Sequence, residues 1–151
     1  MLDLEAIELI KQLKARYFRF MDMGKIEGLM DTFTEDAEVD FKSPTYEINH
    51  KGYADIREFY ESTFSKRKFG MHTGHHPEIT VEGDTATGLW YLHDIFVSLD
   101  DCVEVEGSAL YEDRYKKING EWKIVYTGYE RLFEKVSMIP ESTHVTGCPI
   151  K

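Results

Sequence analysis

The hydrophobic period of this chain changes at Pro77, and that change limits its fold more than any other feature. Before it, apolar residues recur at helical spacing. Leu4, Ile7, Ile10, Leu13, Tyr17, Phe18 and Met21 predict an amphipathic helix from about Asp3 to Met23. Lys11, Lys14, Arg16 and Arg19 read as largely off that stripe, with Asp3 able to cap its start and Gly24 to end it. A shorter helix is expected from Lys25 to Phe33, and another from Gly52 to Ser65, whose apolar side is Tyr53, Ile56, Phe59, Tyr60 and Phe64. Two short strands, Ala37 to Phe41 and Tyr46 to His50, are separated by Ser43-Pro44. After Pro77 the period is two, predicting strands over Glu78 to Glu82, Thr85 to Leu99, Val103 to Lys117 and Glu121 to Phe133. Glu82-Gly83-Asp84, Asp100-Asp101 and the hairpin dipeptide Asn119-Gly120 supply the turns.

Helices followed by an antiparallel run of strands imply an α+β fold rather than alternating α/β. The expected shape is a cone, a strongly curved mixed or antiparallel sheet packed against N-terminal helices with a pocket between the layers. Gly88 and Gly128 fall inside strands, where such a sheet would bend. Residues 1–136 read as one domain. Residues 137–151, with Pro140 and Pro149, read as a coil tail that covers the pocket or an interface.

Charge narrows the partners. With 28 acidic against 18 basic side chains, the net charge of −10 argues against nucleic acid and anionic membrane surfaces. One local Arg or Lys could still hold an anionic ligand. Cys102 and Cys148 are too few for a disulfide framework and suit free thiols in a reducing compartment. The N-terminus lacks the basic-then-apolar order of a signal peptide, and no apolar run approaches the roughly 20 residues that span a bilayer. The expectation is a cytoplasmic protein.

The chemistry concentrates in Met71-His72-Thr73-Gly74-His75-His76-Pro77, a turn-like stretch holding half of the 6 histidines, and in Trp90-Tyr91-Leu92-His93-Asp94. Strand alternation puts Asp94 on the face of Trp90, Leu92 and Phe96, where an isolated carboxylate is costly. Asp94 is then either a structural ion pair or the acid that orients a histidine, fixing its tautomer and leaving the other nitrogen to act as a base. His72 is the candidate partner, against the plainer reading of a loop-capping histidine. His75 and His76 sit in a Gly- and Pro-containing segment with no cysteine nearby, which makes a metal site unexpected. Tyr17 is either a core aromatic or a donor to a developing oxyanion. Asp22, five residues on, could border the same cavity. Arg131 is a surface ion-pair residue or the cation for a polar substrate group. Ala109, Tyr111, Asp113 and Tyr115 form a face that lines the pocket or an interface. There is no Gly-x-Ser-x-Gly, P-loop or dinucleotide fingerprint, which favours chemistry by proton transfer alone.

Tyr17-Phe18-Arg19 with Asp22, Met71-His72-x-Gly74-His75-x-Pro77-Glu78-Ile79-Thr80, Ala86-Thr87-Gly88-x-Trp90-Tyr91-Leu92-x-Asp94 and Thr127-Gly128-Tyr129-x-Arg131, in that order, resemble the SnoaL-like proteins of the nuclear transport factor 2-like superfamily. Within it the bile acid 7α-dehydratases are the nearest likeness, with scytalone dehydratases more distant. The resemblance runs from about Ile7 to Glu134. It implies an α+β cone, no metal or organic cofactor, and His72 as general base with Asp94 as its orienting acid. It further implies Tyr17, Asp22 and Arg131 in the pocket. The Asp100 to Gly107 connection, the Phe33 to Lys51 segment and the tail depart from the bile acid enzymes.

The function expected is a dehydratase acting on a hydrophobic hydroxy-carbonyl compound, a steroid or polyketide, through His72, Asp94 and Tyr17. Arg131, Asp22, Trp90 and Tyr111 would contact substrate. An isomerase or cyclase, or a non-catalytic small-molecule carrier, are the alternatives. A homodimer or homotrimer through the sheet is expected from its aromatic outer residues.

Overall fold

The computed structural model describes residues 1–150. The N-terminal helix α1, Leu4–Asp22, is capped by the Asp3 carboxylate, which accepts from the Ala6 amide at 3.0 Å. Gly24, at φ 61°, ends it with its amide on the Met21 carbonyl, a conformation glycine adopts without a Cβ penalty. A short helix α2, Ile26–Met30, is followed by strands β1, Phe33–Lys42, and β2, Glu47–Lys51, then helix α3, Tyr53–Thr63. Four long strands complete the chain: β3, Lys68–Glu82; β4, Thr85–Ser98; β5, Val103–Ile118; and β6, Glu121–Met138.

These strands form one curved, open, six-stranded sheet in the order β2-β1-β6-β5-β4-β3. Every neighbouring pair is antiparallel except β1 and β6, which run parallel, so the sheet is mixed. Helices α1 and α3 cover one face, and the main core lies between them and the inward residues of β1, β4, β5 and β6. Asn119 and Gly120, both at positive φ, make the two-residue β5–β6 hairpin expected of that dipeptide. β4 alternates as expected, with Ala86, Gly88, Trp90, Leu92 and Asp94 buried and the residues between them exposed.

Two expectations fail in informative ways. The three-histidine stretch is not a turn but part of β3, pairing with β4 as His72 opposite Asp94 and His75 opposite Tyr91. Gly74 and Pro77 suggested a break. The chain instead absorbs them with a bulge between His75 and Glu78, where His76 takes φ 49° and Pro77 has no amide to pair. The bulge shifts the alternation by one, so His72 and Gly74 before it face the same side as Ile79 and Val81 after it. The last strand also continues past Val136: Met138 still pairs with Val103, and the coil begins only at Ile139. A second bulge between Arg131 and Phe133 does for β6 what the first does for β3.

Candidate active site

One row of the sheet carries three inward polar groups. His72 on β3 is opposite Asp94 on β4, Asp94 is opposite Gly107 on β5, and Gly107 is opposite Glu134 on β6. Above this row, between sheet and helices, lies a cavity of about 300 Å³, walled mainly by aromatic rings including Tyr60, Phe64, Phe96, Tyr111 and Tyr129. His72, Asp94, Arg131 and Glu134 also line it. A few convergent polar groups on an apolar wall is the usual make-up of a ligand site. Larger open grooves lie on the outer face of the sheet, but no histidine lines them.

His72 and Asp94 share this wall, yet they are not partners. The histidine is held by Asp22 at the end of α1, with Nδ1 at 2.5 Å from one carboxylate oxygen and the backbone amide donating to the other at 3.0 Å. The carboxylate accepts, so Nδ1 carries the proton and Nε2 is left without a protein partner among the described residues. The ring is parallel to Phe18 and edge-on to Phe64, which fixes its plane. Asp22 therefore takes the orienting role expected of Asp94. The reason is direction: α1 crosses β3 so that its last turn ends over His72.

Asp94 is committed elsewhere. Both its oxygens accept from Arg131, whose terminal nitrogens bind them in a fork, the second at 2.7 Å. Both side chains are about 95% buried. Gly107 makes this reach possible, since a Cβ there would lie 3.1 Å from the Arg131 guanidinium and 2.6 Å from the Phe133 carbonyl oxygen. The remaining Arg131 nitrogen, Nε, donates to the Tyr46 hydroxyl at 3.1 Å, and Tyr46 lies 2.6 Å from the Tyr129 hydroxyl. Arg131 is thus neither a surface ion pair nor a free anion receptor. Burial, with Tyr46 alongside, pushes the Tyr129 phenol far above its usual range, so it stays protonated.

Two other expected site residues lie off the cavity. Tyr17 is fully enclosed behind the wall, its hydroxyl 2.9 Å from that of Tyr60, which does line the cavity. Trp90 donates its indole N–H to Tyr115 at 3.0 Å, away from the cavity and over Gly88, which leaves room for that contact. Tyr111 does line the cavity, so the inward face of β5 serves the interior.

Sequence reasoning missed Tyr46, Glu134 and Lys14. Tyr46 precedes a strand and gave no signal. Glu134 would point outward by simple alternation from Arg131, and only the bulge turns it in. Lys14 did give a signal: it stands at i+4 from Ile10 and i−4 from Phe18, inside the apolar stripe. It is completely buried, with Nζ 2.7 Å from Asp113 and 3.7 Å from the centroid of the Tyr111 ring. Asp113 also accepts from Thr127 and Tyr115, each at 2.7 Å. Desolvation lowers the Lys14 pKa despite the Asp113 charge.

Among the described residues no group of three or more His, Cys, Asp or Glu is placed to hold a metal ion, and His75 and His76 are exposed. No helix is long and apolar enough to cross a membrane.

Comparison with known proteins places this arrangement in context. A family model described as a SnoaL-like domain matches residues 2–127. A protein from Novosphingobium aromaticivorans proposed as an aromatic ring hydroxylase superposes with a TM-score of 0.81 at 26% identity, over 91% of this chain and 96% of that one. A second protein from that organism, proposed as a scytalone dehydratase, gives 0.77 at 19% identity over 95% and 97%. Hexachlorocyclohexane dehydrochlorinase LinA-type3 from Novosphingobium barchaimii gives 0.78 at 16% identity over 95% and 96%. The last two are similar in fold alone.

Proposed function

Since the chain belongs to the SnoaL-like domain family of the nuclear transport factor 2-like superfamily, we propose that it is a lyase. It would eliminate water from a hydrophobic hydroxy-carbonyl compound using its own side chains. The observation that carries this reading is the His72–Asp22 pair at the cavity wall, with Nδ1 held at 2.5 Å and Nε2 free. A neutral imidazole oriented in this way takes a proton through its second nitrogen. In the proposed step Nε2 removes a C–H proton made acidic by the neighbouring carbonyl. The electron pair forms the double bond as the hydroxyl departs, and the new imidazolium returns its proton to the leaving group as water. Asp22 stabilises that imidazolium, and Asp94 serves instead to fix Arg131.

The cavity supports a compact substrate. About 300 Å³ lies at the small end of the usual range for ligand pockets, about 300–1,000 Å³, and suits two or three fused rings. A polyketide-like ring system fits it more readily than a complete steroid, and kinship with the bile acid enzymes is the narrower form of the same proposal. Neighbouring folds that bear the names of eliminating enzymes are consistent with this reading, but a fold alone decides no activity. Exposed Leu89, Tyr91 and Leu132 on the outer face support assembly into a dimer or trimer, which light scattering would measure.

The test is ultraviolet monitoring of a panel of cyclic hydroxy-ketones with the wild type and His72→Ala side by side. New conjugated absorbance from the wild type, reduced about 10²–10⁴-fold in the variant, is the expected result. A folded His72→Ala protein turning over at the wild-type rate would sink the proposal. A product of unchanged mass would point to an isomerase or cyclase.

A further inference from the structure

Arg131 is the only lysine or arginine in the cavity wall among the described residues, and its charge is already spoken for. Its terminal nitrogens hold Asp94 and its Nε holds Tyr46. Against this single cation stand Asp94 and Glu134 in the wall and Asp22 behind His72. Glu134 Oε2 lies 3.6 Å from Arg131 Nε and has no hydrogen bond of its own. A carboxylate entering this space would meet excess negative charge in a weakly screened interior.

The hydroxyl count points the other way. Tyr46 and Tyr129 bring two phenolic protons, and the 2.6 Å contact between their oxygens consumes one. Arg131 already fills an acceptor position on Tyr46, and neither hydroxyl has another acceptor among the described residues. Whichever tyrosine donates to the other, one O–H remains unspent at the cavity wall.

We infer that the Tyr46–Tyr129 pair, ordered by Arg131, is the cavity's hydrogen-bond donor to substrate, and that the group it takes is an uncharged carbonyl oxygen rather than a carboxylate. A carbonyl offers lone pairs without adding charge. During elimination that oxygen gains negative character as the adjacent C–H proton leaves for His72, and a donor already aimed at it lowers the barrier. This catalytic half rests on the lyase reading; the binding half does not.

The experiment uses three probes with one ring system: 2-acetylnaphthalene with a ¹³C-labelled carbonyl, 2-naphthoate and 2-isopropylnaphthalene. Infrared difference spectra read the carbonyl stretch of the bound ketone, and fluorescence titration gives the affinities. The ketone should bind with its stretch below the value in hexane, and more tightly than the hydrocarbon. Naphthoate should bind at least tenfold more weakly, a gap that Glu134→Gln narrows. The double variant Tyr46→Phe/Tyr129→Phe should lose the shift, while Tyr60→Phe, which removes a wall hydroxyl and breaks its contact with Tyr17, keeps it. His72→Gln should also keep the shift, so a failed lyase assay and a failed donor pair give different results. An unshifted stretch in the wild type, no ketone binding at millimolar concentration, or naphthoate binding as tightly as the ketone would each overturn the inference. Those wild-type readings decide the matter even if the double variant does not fold.

Discussion

Two sets of buried charge lie on the inner face of the same sheet, and they differ in what is left over. Around Lys14 and Asp113 the contacts close on themselves. The ammonium has a carboxylate, a hydroxyl and an aromatic face, while the carboxylate accepts from Lys14, Thr127 and Tyr115. Around His72, Asp94 and Arg131 the contacts are as short, but they border a cavity and leave an imidazole nitrogen and one phenolic proton without partners. Burial and ion pairing are common to both. Only the second has spare hydrogen-bonding capacity beside a cavity, and that combination makes it the candidate site.

The contrast can be broken most forcefully at Lys14. Lys14→Met should cost about 3–5 kcal/mol of stability, because it strands Asp113 as an uncompensated buried charge. Chemical denaturation should reveal that loss, and Lys14→Met/Asp113→Leu should recover much of it. His72→Ala should do the reverse, removing turnover while shifting the denaturation midpoint little. Equal stability losses from both variants would erase the distinction. Asp22→Asn should lower kcat/KM by up to about 10⁴-fold, the loss typical when the carboxylate that fixes the tautomer of a histidine base becomes an amide, with the protein still folded. Asp94→Asn would match it only if Asp94 also oriented the base.

Alkaline pH should strain both regions. Burial raises the pKa of Tyr17, Tyr60, Tyr111, Tyr115 and Tyr129 in the folded state. Above about pH 10 the unfolded chain releases these protons while the folded chain keeps them, so stability falls as pH rises, by roughly 1.4 kcal/mol per unit for each such tyrosine. Lys14 opposes this with one group, because its lowered pKa makes the folded state bind fewer protons in the range just below the ordinary lysine value. A denaturation series with a flat profile beyond pH 10 would contradict the buried phenols. The smallest effect belongs to Trp90→Phe, which removes the indole donor to Tyr115 and should cost about 1 kcal/mol without changing ligand affinity. A large affinity change would return Trp90 to the cavity.

Much of this was legible in the amino-acid sequence alone. The switch of period at Pro77 and the Asn119-Gly120 dipeptide determined helices first and a strand meander after, because one face of each element must be buried and the period says which. Alternation likewise put Asp94 on an inner face with Trp90 and Leu92, whereas it left the Tyr111 face open between pocket and interface. Lys14 was legible too, at helical spacing within the apolar stripe, had its charge not suggested the surface. What the tertiary structure alone decided is who partners whom. A carboxylate takes the donor that the packing brings within about 3 Å, and sequence spacing does not encode that distance for residues 50 apart, as Asp22 and His72 are. The crossing of α1 over β3 gave His72 to Asp22, and the space above Gly107 gave Asp94 to Arg131. The bulges in β3 and β6 turned their strands by one residue, which a strict period of two cannot anticipate.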